Sequence, residues 1–106
     1  MTADQLVTLL RRKTEPLVLD VRTHAEYTSG HIPRSVHAPL ATIAGILAKR
    51  TVARGDLLVL VCEHGPRAGL ARAYLRLRGY RKIVLLRGHM LHWRNAGLPL
   101  EKNPGS

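Results

Sequence analysis

The chain contains a single cysteine, Cys62, and no phenylalanine among its 106 residues. One cysteine excludes an internal disulfide and suits a reducing compartment. Aromatic residues make up only 4% of the chain, so it has no stacking surface for single-stranded nucleic acid. No apolar run is long enough to span a bilayer, and no cationic stretch before an apolar run marks a signal peptide. We therefore expect a cytoplasmic protein without membrane contact.

Acidic residues are scarce as well, because 7 aspartates and glutamates face 17 lysines and arginines, for a formal net charge of +10. A positive field of this size attracts small oxyanions, acidic proteins or nucleic acid. No nucleic-acid-binding motif accompanies the charge. We interpret it as a solvated, arginine-rich surface and argue against a nucleic-acid partner.

Short apolar runs alternate with helical patterns along the chain. Strands are predicted at 17–19, 35–38, 57–61 and 83–86, and helices at 23–29, 40–49 and 67–78. A capping box of Thr2 and Gln5 opens one further helix, and Gly88 opens the last. Continuous apolar strands between helices predict an α/β fold whose mostly parallel central sheet carries helices on both faces.

The length suits one domain, and a hydrophobic content of 45% can build its core. We place this single domain at residues 1–100 and interpret residues 101–106 as a frayed C-terminal tail. In the helix predicted at 67–78, the expected buried stripe comprises Leu70, Ala71, Tyr74, Leu75 and Leu77.

Cys62 lies between the end of a predicted strand and the start of a predicted helix. A lone cysteine is often only a small buried hydrophobe. Here, however, helix-terminal N–H groups and Arg67 would stabilise a thiolate. Gly65 permits the backbone angles of an amide nest, and Pro66 removes one donor from it. Cys62 is therefore the candidate nucleophile, and the candidate anion-binding loop comprises Glu63, His64, Gly65, Pro66, Arg67 and Ala68.

Ligands of parallel α/β sheets bind at the carboxyl ends of the strands. Three strand-end loops should therefore meet beside Cys62. The candidate rim of the pocket comprises Arg22, His24, Arg87 and His89.

Other chemistries fit the sequence less well. Six histidines are present, but no cysteine or carboxylate pattern completes a metal site, so we predict no metal. A serine hydrolase is poorly supported because no G-x-S-x-G elbow exists. A cysteine-dependent phosphatase or arsenate reductase stays open as an alternative, although its loop needs five residues between cysteine and arginine. Only four separate Cys62 from Arg67.

The sequence resembles the single-domain rhodaneses, which are thiosulfate sulfurtransferases and sulfur carriers, over nearly its whole length. Three motifs carry the resemblance in the expected order. The first comprises Leu19-Asp20-Val21-Arg22, Glu26-Tyr27 and Gly30-His31-Ile32-Pro33. The second is the active-site loop, C-x-x-G-x-R, at Cys62 to Arg67. The closing segment comprises Gly79-Tyr80, Leu86-Arg87-Gly88, Met90-Leu91-His92-Trp93-Arg94 and Ala96-Gly97-Leu98-Pro99.

The resemblance implies a persulfide cycle that needs no cofactor. Cys62 would take sulfur from a small anionic donor such as thiosulfate, and a protein or small-molecule acceptor would collect it. Arg67 matches the arginine that orients the loop and the oxyanion. Asp20, Arg22 and Glu26 match structural positions, and we expect Arg22 and Glu26 to pair at i, i+4.

Several positions depart from the usual pattern, and two of them are candidate site residues. Glu63 stands where a basic or polar residue is common, and a carboxylate there opposes the thiolate unless it turns to solvent. His89 stands where a second glycine is frequent, so we expect it to narrow the pocket. A non-catalytic regulatory module of the same family is a further alternative, but such relatives often lose the cysteine that this chain keeps.

Overall fold

Strands and helices alternate throughout the part of the chain that the computed structural model describes, residues 1–12 and 16–102. The strands are β1 (Leu17–Asp20), β2 (Val36–His37), β3 (Leu57–Val61) and β4 (Lys82–Leu85). The helices are α1 (Ala3–Arg11), α2 (His24–Ser29), α3 (Ile43–Lys49), α4 (Pro66–Leu77) and α5 (His89–Asn95).

The four strands form one sheet in the order β2-β1-β3-β4, and every neighbouring pair is parallel. Asp20 at the end of β1 is in register with Val61 at the end of β3. The loops that follow these two strands therefore leave the sheet at the same edge. The predicted α/β fold with a parallel central sheet is confirmed.

Helices cover both faces of the sheet, and β3 contributes to both cores because its side chains alternate. Leu58 and Leu60 pack in a cluster with the buried residues of α3 and α4. Val59 and Val61 pack in a second cluster with those of α1 and α5. All four side chains are fully buried, and each contributes roughly 2 kcal/mol of hydrophobic stabilisation. Together they fix the height at which β3 ends, and hence the position of Cys62.

The buried face of α4 differs from the predicted stripe. Ala68, Ala71 and Leu75 are fully buried, whereas Leu70 is 59% exposed and Leu77 is 88% exposed. The spacing of the buried residues is that of one helical face, and two alanines let the helix approach the sheet closely. The prediction is confirmed for Ala71 and Leu75, but it included the exposed Leu70 and Leu77 and missed the small Ala68.

Helix boundaries differ by a few residues from those expected. The helix predicted at 40–49 begins at Ile43, because residues 40–42 form a turn in which the Thr42 N–H donates to the Pro39 carbonyl. The capping box of Thr2 and Gln5 at α1 is confirmed, and α2 has a second one, formed by Thr23 and Glu26.

Glu101 differs from the frayed tail expected from residue 101 onward. Its backbone exchanges two hydrogen bonds with that of His31, at 2.9 and 2.8 Å. The rest of that expectation, at 103–106, lies outside the described residues, and the domain boundary stays a prediction. Within the described ranges, no helix combines the length and apolar character that crossing a membrane requires.

Candidate active site

The Cys62 thiol lies in the loop that joins β3 to α4, and its side chain is fully buried. The Gly65 N–H donates a hydrogen bond to Cys62 Sγ at 2.9 Å. This turn requires glycine, because residue 65 has a φ of +127°. Helix α4 begins one residue later, and the N–H groups of its first turn have no partner within the helix. Both the donated N–H and the start of the helix place partial positive charge beside Cys62 Sγ.

Helix α5 holds the same loop from the other side. The Met90 N–H donates to the Cys62 carbonyl at 3.0 Å, and the Leu91 N–H donates to the Glu63 carbonyl at 3.1 Å. The Cys62 N–H in turn donates to Nδ1 of His89 at 3.2 Å. Three hydrogen bonds to the first turn of one helix therefore hold the backbone of the nucleophile and of the residue after it.

His89 lies beneath the loop and not on an open rim. Its side chain is only 8% exposed, and burial, together with the nearby charge of His64, lowers its pKa below the usual value. Its backbone φ is +50°, in the left-handed region that non-glycine residues rarely adopt. The expectation that His89 lies near Cys62 is met, but through a contact with the backbone amide that the sequence did not reveal.

Arg67 extends to the side of the loop that faces α2. Its Nη1 and Nη2 donate to the two carboxylate oxygens of Glu26 at 2.6 and 3.0 Å. The hydrogen bond from Arg67, with smaller contributions from Thr23, lowers the pKa of Glu26 to about 2 against the opposing effect of burial. Arg67 is therefore oriented by a carboxylate, and the expected pairing of Glu26 with Arg22 is wrong.

Arg22 pairs instead with Asp20, two residues before it. The Arg22 side chain donates from Nε to Oδ1 at 2.9 Å and from Nη2 to Oδ2 at 2.8 Å. Nη2 also donates to the Gly30 carbonyl at 2.7 Å. Asp20 is closer to Arg22 than Glu26 is. The Asp20 carboxylate cannot be hydrated instead, because Asp20 and Arg22 are both essentially buried. Arg22 still reaches the candidate loop, because its Nη1 lies 3.7 Å from Glu63.

Glu63 does not turn freely to solvent. Arg94 of α5 forms a two-pronged salt bridge with it, in which Nη1 donates to Oε1 at 3.0 Å and Nη2 pairs with Oε2. Arg94, chiefly through these hydrogen bonds, and Arg22 lower the pKa of Glu63, although burial opposes them. The carboxylate beside Cys62 is thus ionised but compensated by two cations.

The other predicted residues separate into loop and non-loop positions. Pro66 occupies the first turn of α4, where its missing N–H costs nothing, and Ala68 lies buried in the core beneath it.

His24 is exposed at the start of α2, with its ring 6.0 Å from that of His37. Arg87 is exposed and donates its backbone N–H to the Met1 carbonyl. Among the described residues, no hydrogen bond, ion pair or ring contact joins His24 or Arg87 to the loop.

Two partners of the site escaped sequence reasoning. Glu26 lies 41 positions from Arg67, and Arg94 lies 31 positions from Glu63, so only the fold brings each pair together. At Glu26 the resemblance implied only a structural position, and the spacing of four indicated a pair with Arg22, so neither pointed to Arg67. Within the described ranges, no three histidine, cysteine, aspartate or glutamate side chains are placed to hold a metal ion.

Comparison with known proteins agrees with this geometry. The family model of the rhodanese-like domain matches residues 2–96. An HTH-type transcriptional regulator of Mycobacterium tuberculosis is 37% identical over 98 residues, 89% of this chain, but the chain spans only 42% of its length. The thiosulfate sulfurtransferase GlpE of Pseudomonas savastanoi is 35% identical over 78% of this chain and 76% of its own.

Among solved structures, a rhodanese-related protein from Thermoplasma volcanium superposes with a TM-score of 0.79. The match covers 97% of both chains at 25% identity. A sheet of this order, a cysteine loop between β3 and α4 and a family match over nearly the whole chain lead to one conclusion: the chain belongs to the rhodanese-like domain family.

Proposed function

We propose that the protein is a sulfurtransferase that takes sulfane sulfur from thiosulfate onto Cys62 and passes it to a thiophilic acceptor. The observation that carries the proposal is the hydrogen bond from the Gly65 N–H to Cys62 Sγ, at the start of α4. This arrangement stabilises an anionic sulfur and provides further amide donors for a second one. The sulfurtransferase name of the Pseudomonas savastanoi relative supports the same chemistry.

The reaction proceeds in two displacements. The Cys62 thiolate attacks the outer sulfur of thiosulfate, the sulfur–sulfur bond of the donor breaks, and sulfite leaves with the electron pair. The product is a Cys62 persulfide, whose terminal sulfur carries the negative charge. An acceptor nucleophile then attacks that terminal sulfur, and the Cys62 thiolate leaves. With cyanide as the acceptor, the product is thiocyanate.

The surroundings of Cys62 suit an anionic donor. The chain carries a formal net charge of +10, which raises the local concentration of anions. Arg67 stays protonated next to Glu26, since that carboxylate raises its pKa further. A cytoplasmic location would keep the single thiol reduced between turnovers.

The loop is less suited to phosphoryl or arsenate chemistry. A phosphoryl group has three oxygens to bind, and Arg67 already gives both terminal nitrogens to Glu26. Only four residues separate Cys62 from Arg67, and Pro66 has no N–H to offer. A purely regulatory role, as a module of a longer protein, would leave the thiolate-stabilising contacts without a use.

The test is intact mass spectrometry of the full chain after incubation with thiosulfate. We expect wild type to gain one sulfur atom, and cyanide to remove it with release of thiocyanate. Cys62→Ser is the matched control, because it preserves the size of the side chain and should keep the fold while abolishing transfer. Thiocyanate production by Cys62→Ser, or cysteine-dependent hydrolysis of an aryl phosphate by a wild type that never loads sulfur, would overturn the proposal.

A further inference from the structure

The contact between His89 and the Cys62 amide fixes the proton arrangement of the imidazole. A backbone N–H can only donate, so Nδ1 of His89 must be the acceptor and carry no proton. In the neutral ring the proton then resides on Nε2. Nε2 faces the turn of the loop, because a β-carbon built on Gly65 would lie 3.5 Å from it.

This arrangement excludes one role and allows another. His89 cannot take the thiol proton through Nδ1, which the amide occupies, nor through Nε2, which is already protonated. It is therefore not a general base for Cys62. A neutral His89 does give the Cys62 amide a buried acceptor, and this acceptor keeps the backbone of the nucleophile fixed while the thiolate reacts with the donor.

Protonation of His89 would abolish the contact. A proton on Nδ1 would face the Cys62 N–H, leaving two donors against each other in a buried site. Charged and titratable groups on the loop and on the elements around it include Cys62, Glu63 and His64 in the loop, Arg67 on α4, Arg22 after β1, Asp4 on α1, Arg87 before α5, and His92 and Arg94 on α5 itself. Of these, the charge of His64 acts on the pKa of His89.

The surroundings of His89 shift its pKa in opposite directions. Burial and the nearby His64 lower the pKa of His89, so the neutral ring persists to a lower pH than in an exposed histidine. A thiolate on Cys62 would favour the charged ring. Loss of the contact is therefore expected on the acid side of the ordinary histidine pKa of 6.5, and not at neutral pH.

We propose that His89 is a positioning residue for the sulfur-transfer reaction, and that its neutral Nδ1 holds the backbone amide of the nucleophile in its reactive position. The inference rests on the proposed function for its role in turnover. Its expected effect on the reactivity of the Cys62 thiol can be measured without thiosulfate. The left-handed backbone at His89 agrees with this role, because such strain persists where a side chain is held by its surroundings.

Two substitutions separate the acceptor from the titration. His89→Asn places an amide oxygen near the position of Nδ1, tolerates a positive φ and does not titrate. His89→Gly also tolerates the backbone but removes the acceptor. His92→Asn, on an exposed position of the same helix, is the matched control. Circular dichroism and thermal unfolding establish that each variant folds.

The measured quantities are the rate of persulfide formation from thiosulfate and the rate of Cys62 alkylation by iodoacetamide, both as a function of pH. At neutral pH we expect His89→Asn to stay near the wild-type rates and His89→Gly to lose about tenfold. Below pH 6.5 the wild-type rates should fall relative to those of His89→Asn. His92→Asn should follow wild type throughout.

The two proposals fail in different ways. If thiosulfate never loads while alkylation shows the expected pattern, the proposed function fails and the inference about His89 stands. If His89→Gly folds and matches wild type in both reactions at every pH, the inference is wrong whatever the donor. Nitrogen NMR of the imidazole adds a direct reading, and a neutral His89 protonated at Nδ1 would overturn the inference as well.

Discussion

Two of the arginine–carboxylate pairs near Cys62 differ chiefly in burial. Asp20 and Arg22 are 0% and 2% exposed, and Arg22 also binds the Gly30 carbonyl. Glu26 and Arg67 are 33% and 41% exposed, and their carboxylate and guanidinium groups meet at the loop itself. The groups of the Asp20–Arg22 pair form their hydrogen bonds inside the protein. Water can replace the hydrogen bonds of the Glu26–Arg67 pair.

The difference in burial gives the two pairs different expected roles, one in the stability of the fold and one in the reactivity of the site. A buried ion pair is costly to break because the remaining charge has no water to turn to. A half-exposed pair contributes little to folding, but it sets the local charge that an incoming anion meets. We therefore expect the buried pair to control the fold that positions the loop, and the exposed pair to control the use of the donor.

The largest expected effect follows from breaking the buried pair. Arg22→Met leaves Asp20 charged, buried and without its main partner, so we expect a loss of about 3 to 5 kcal/mol in the free energy of unfolding. Urea denaturation followed by circular dichroism measures it. The double variant Asp20→Asn/Arg22→Met should recover part of the loss, because it removes the orphaned charge. A loss in Arg22→Met below about 1 kcal/mol would show that the pair behaves like an exposed one.

Breaking the exposed pair of Glu26 and Arg67 should change stability little and the use of the donor more. Glu26→Gln keeps the capping box of α2, since glutamine also serves there, but frees the charge of Arg67. We expect less than about 1 kcal/mol of lost stability and a KM for thiosulfate that falls up to about fivefold at low salt. The double variant Glu26→Gln/Arg67→Gln is the control and should lose this gain. A lower KM that persists at high salt would contradict the electrostatic explanation.

The free energy of unfolding at acid pH should also show the contribution of the exposed pair. The pKa of Glu26 is about 2 in the folded protein against an ordinary value of 4.5. A lowered pKa contributes stability that is fully present above 4.5 and is lost as the pH falls toward 2, and because water screens this exposed pair the contribution should stay below about 1 kcal/mol. The difference in unfolding free energy between wild type and Glu26→Gln should therefore shrink across that window. A difference that stays constant with pH would mean that the pair does not form in solution.

The sequence predicted the parts of this comparison that depend on local pattern. The sheet, the loop at Cys62 and the capping box at Thr2 follow from runs of apolar residues and from spacings of three. The ion pairs do not, because several arginines compete for few carboxylates and the choice depends on distance in the fold. A helical spacing of four suggested that Glu26 pairs with Arg22, but the close, buried Asp20 is the stronger partner for that arginine.

His89 illustrates a second limit of sequence reasoning. Its place in the loop after the last predicted strand indicated that it would lie near Cys62, and in the structure it contacts the Cys62 amide. That its imidazole accepts the backbone N–H of Cys62 could not be predicted, because the contact comes with a left-handed backbone angle at residue 89 that is uncommon outside glycine. The exposed leucines of α4 are a similar case, because hydrophobicity alone did not identify which helical face meets the sheet.

The smallest effect is expected at the pair between Glu63 and Arg94, which belongs with the exposed class. Glu63 is 25% exposed and Arg94 is 39% exposed, and Arg22 lies 3.7 Å from the same carboxylate. Because two cations compensate Glu63, its charge opposes the thiolate only weakly. We expect Glu63→Gln to raise thiosulfate turnover about two- to threefold at low salt.

The matched variant at the Glu63 pair acts in the opposite direction. Arg94→Met leaves the Glu63 charge facing the loop with only Arg22 nearby, so turnover should fall by a similar factor. The double variant Glu63→Gln/Arg94→Met should return near the wild-type rate, since it removes both charges together. Steady-state kinetics at low and high salt measure all three. Equal rates for the three variants at low salt would mean that water, and not the arginines, screens this carboxylate, and Glu63 would then be a solvated loop residue without influence on the donor.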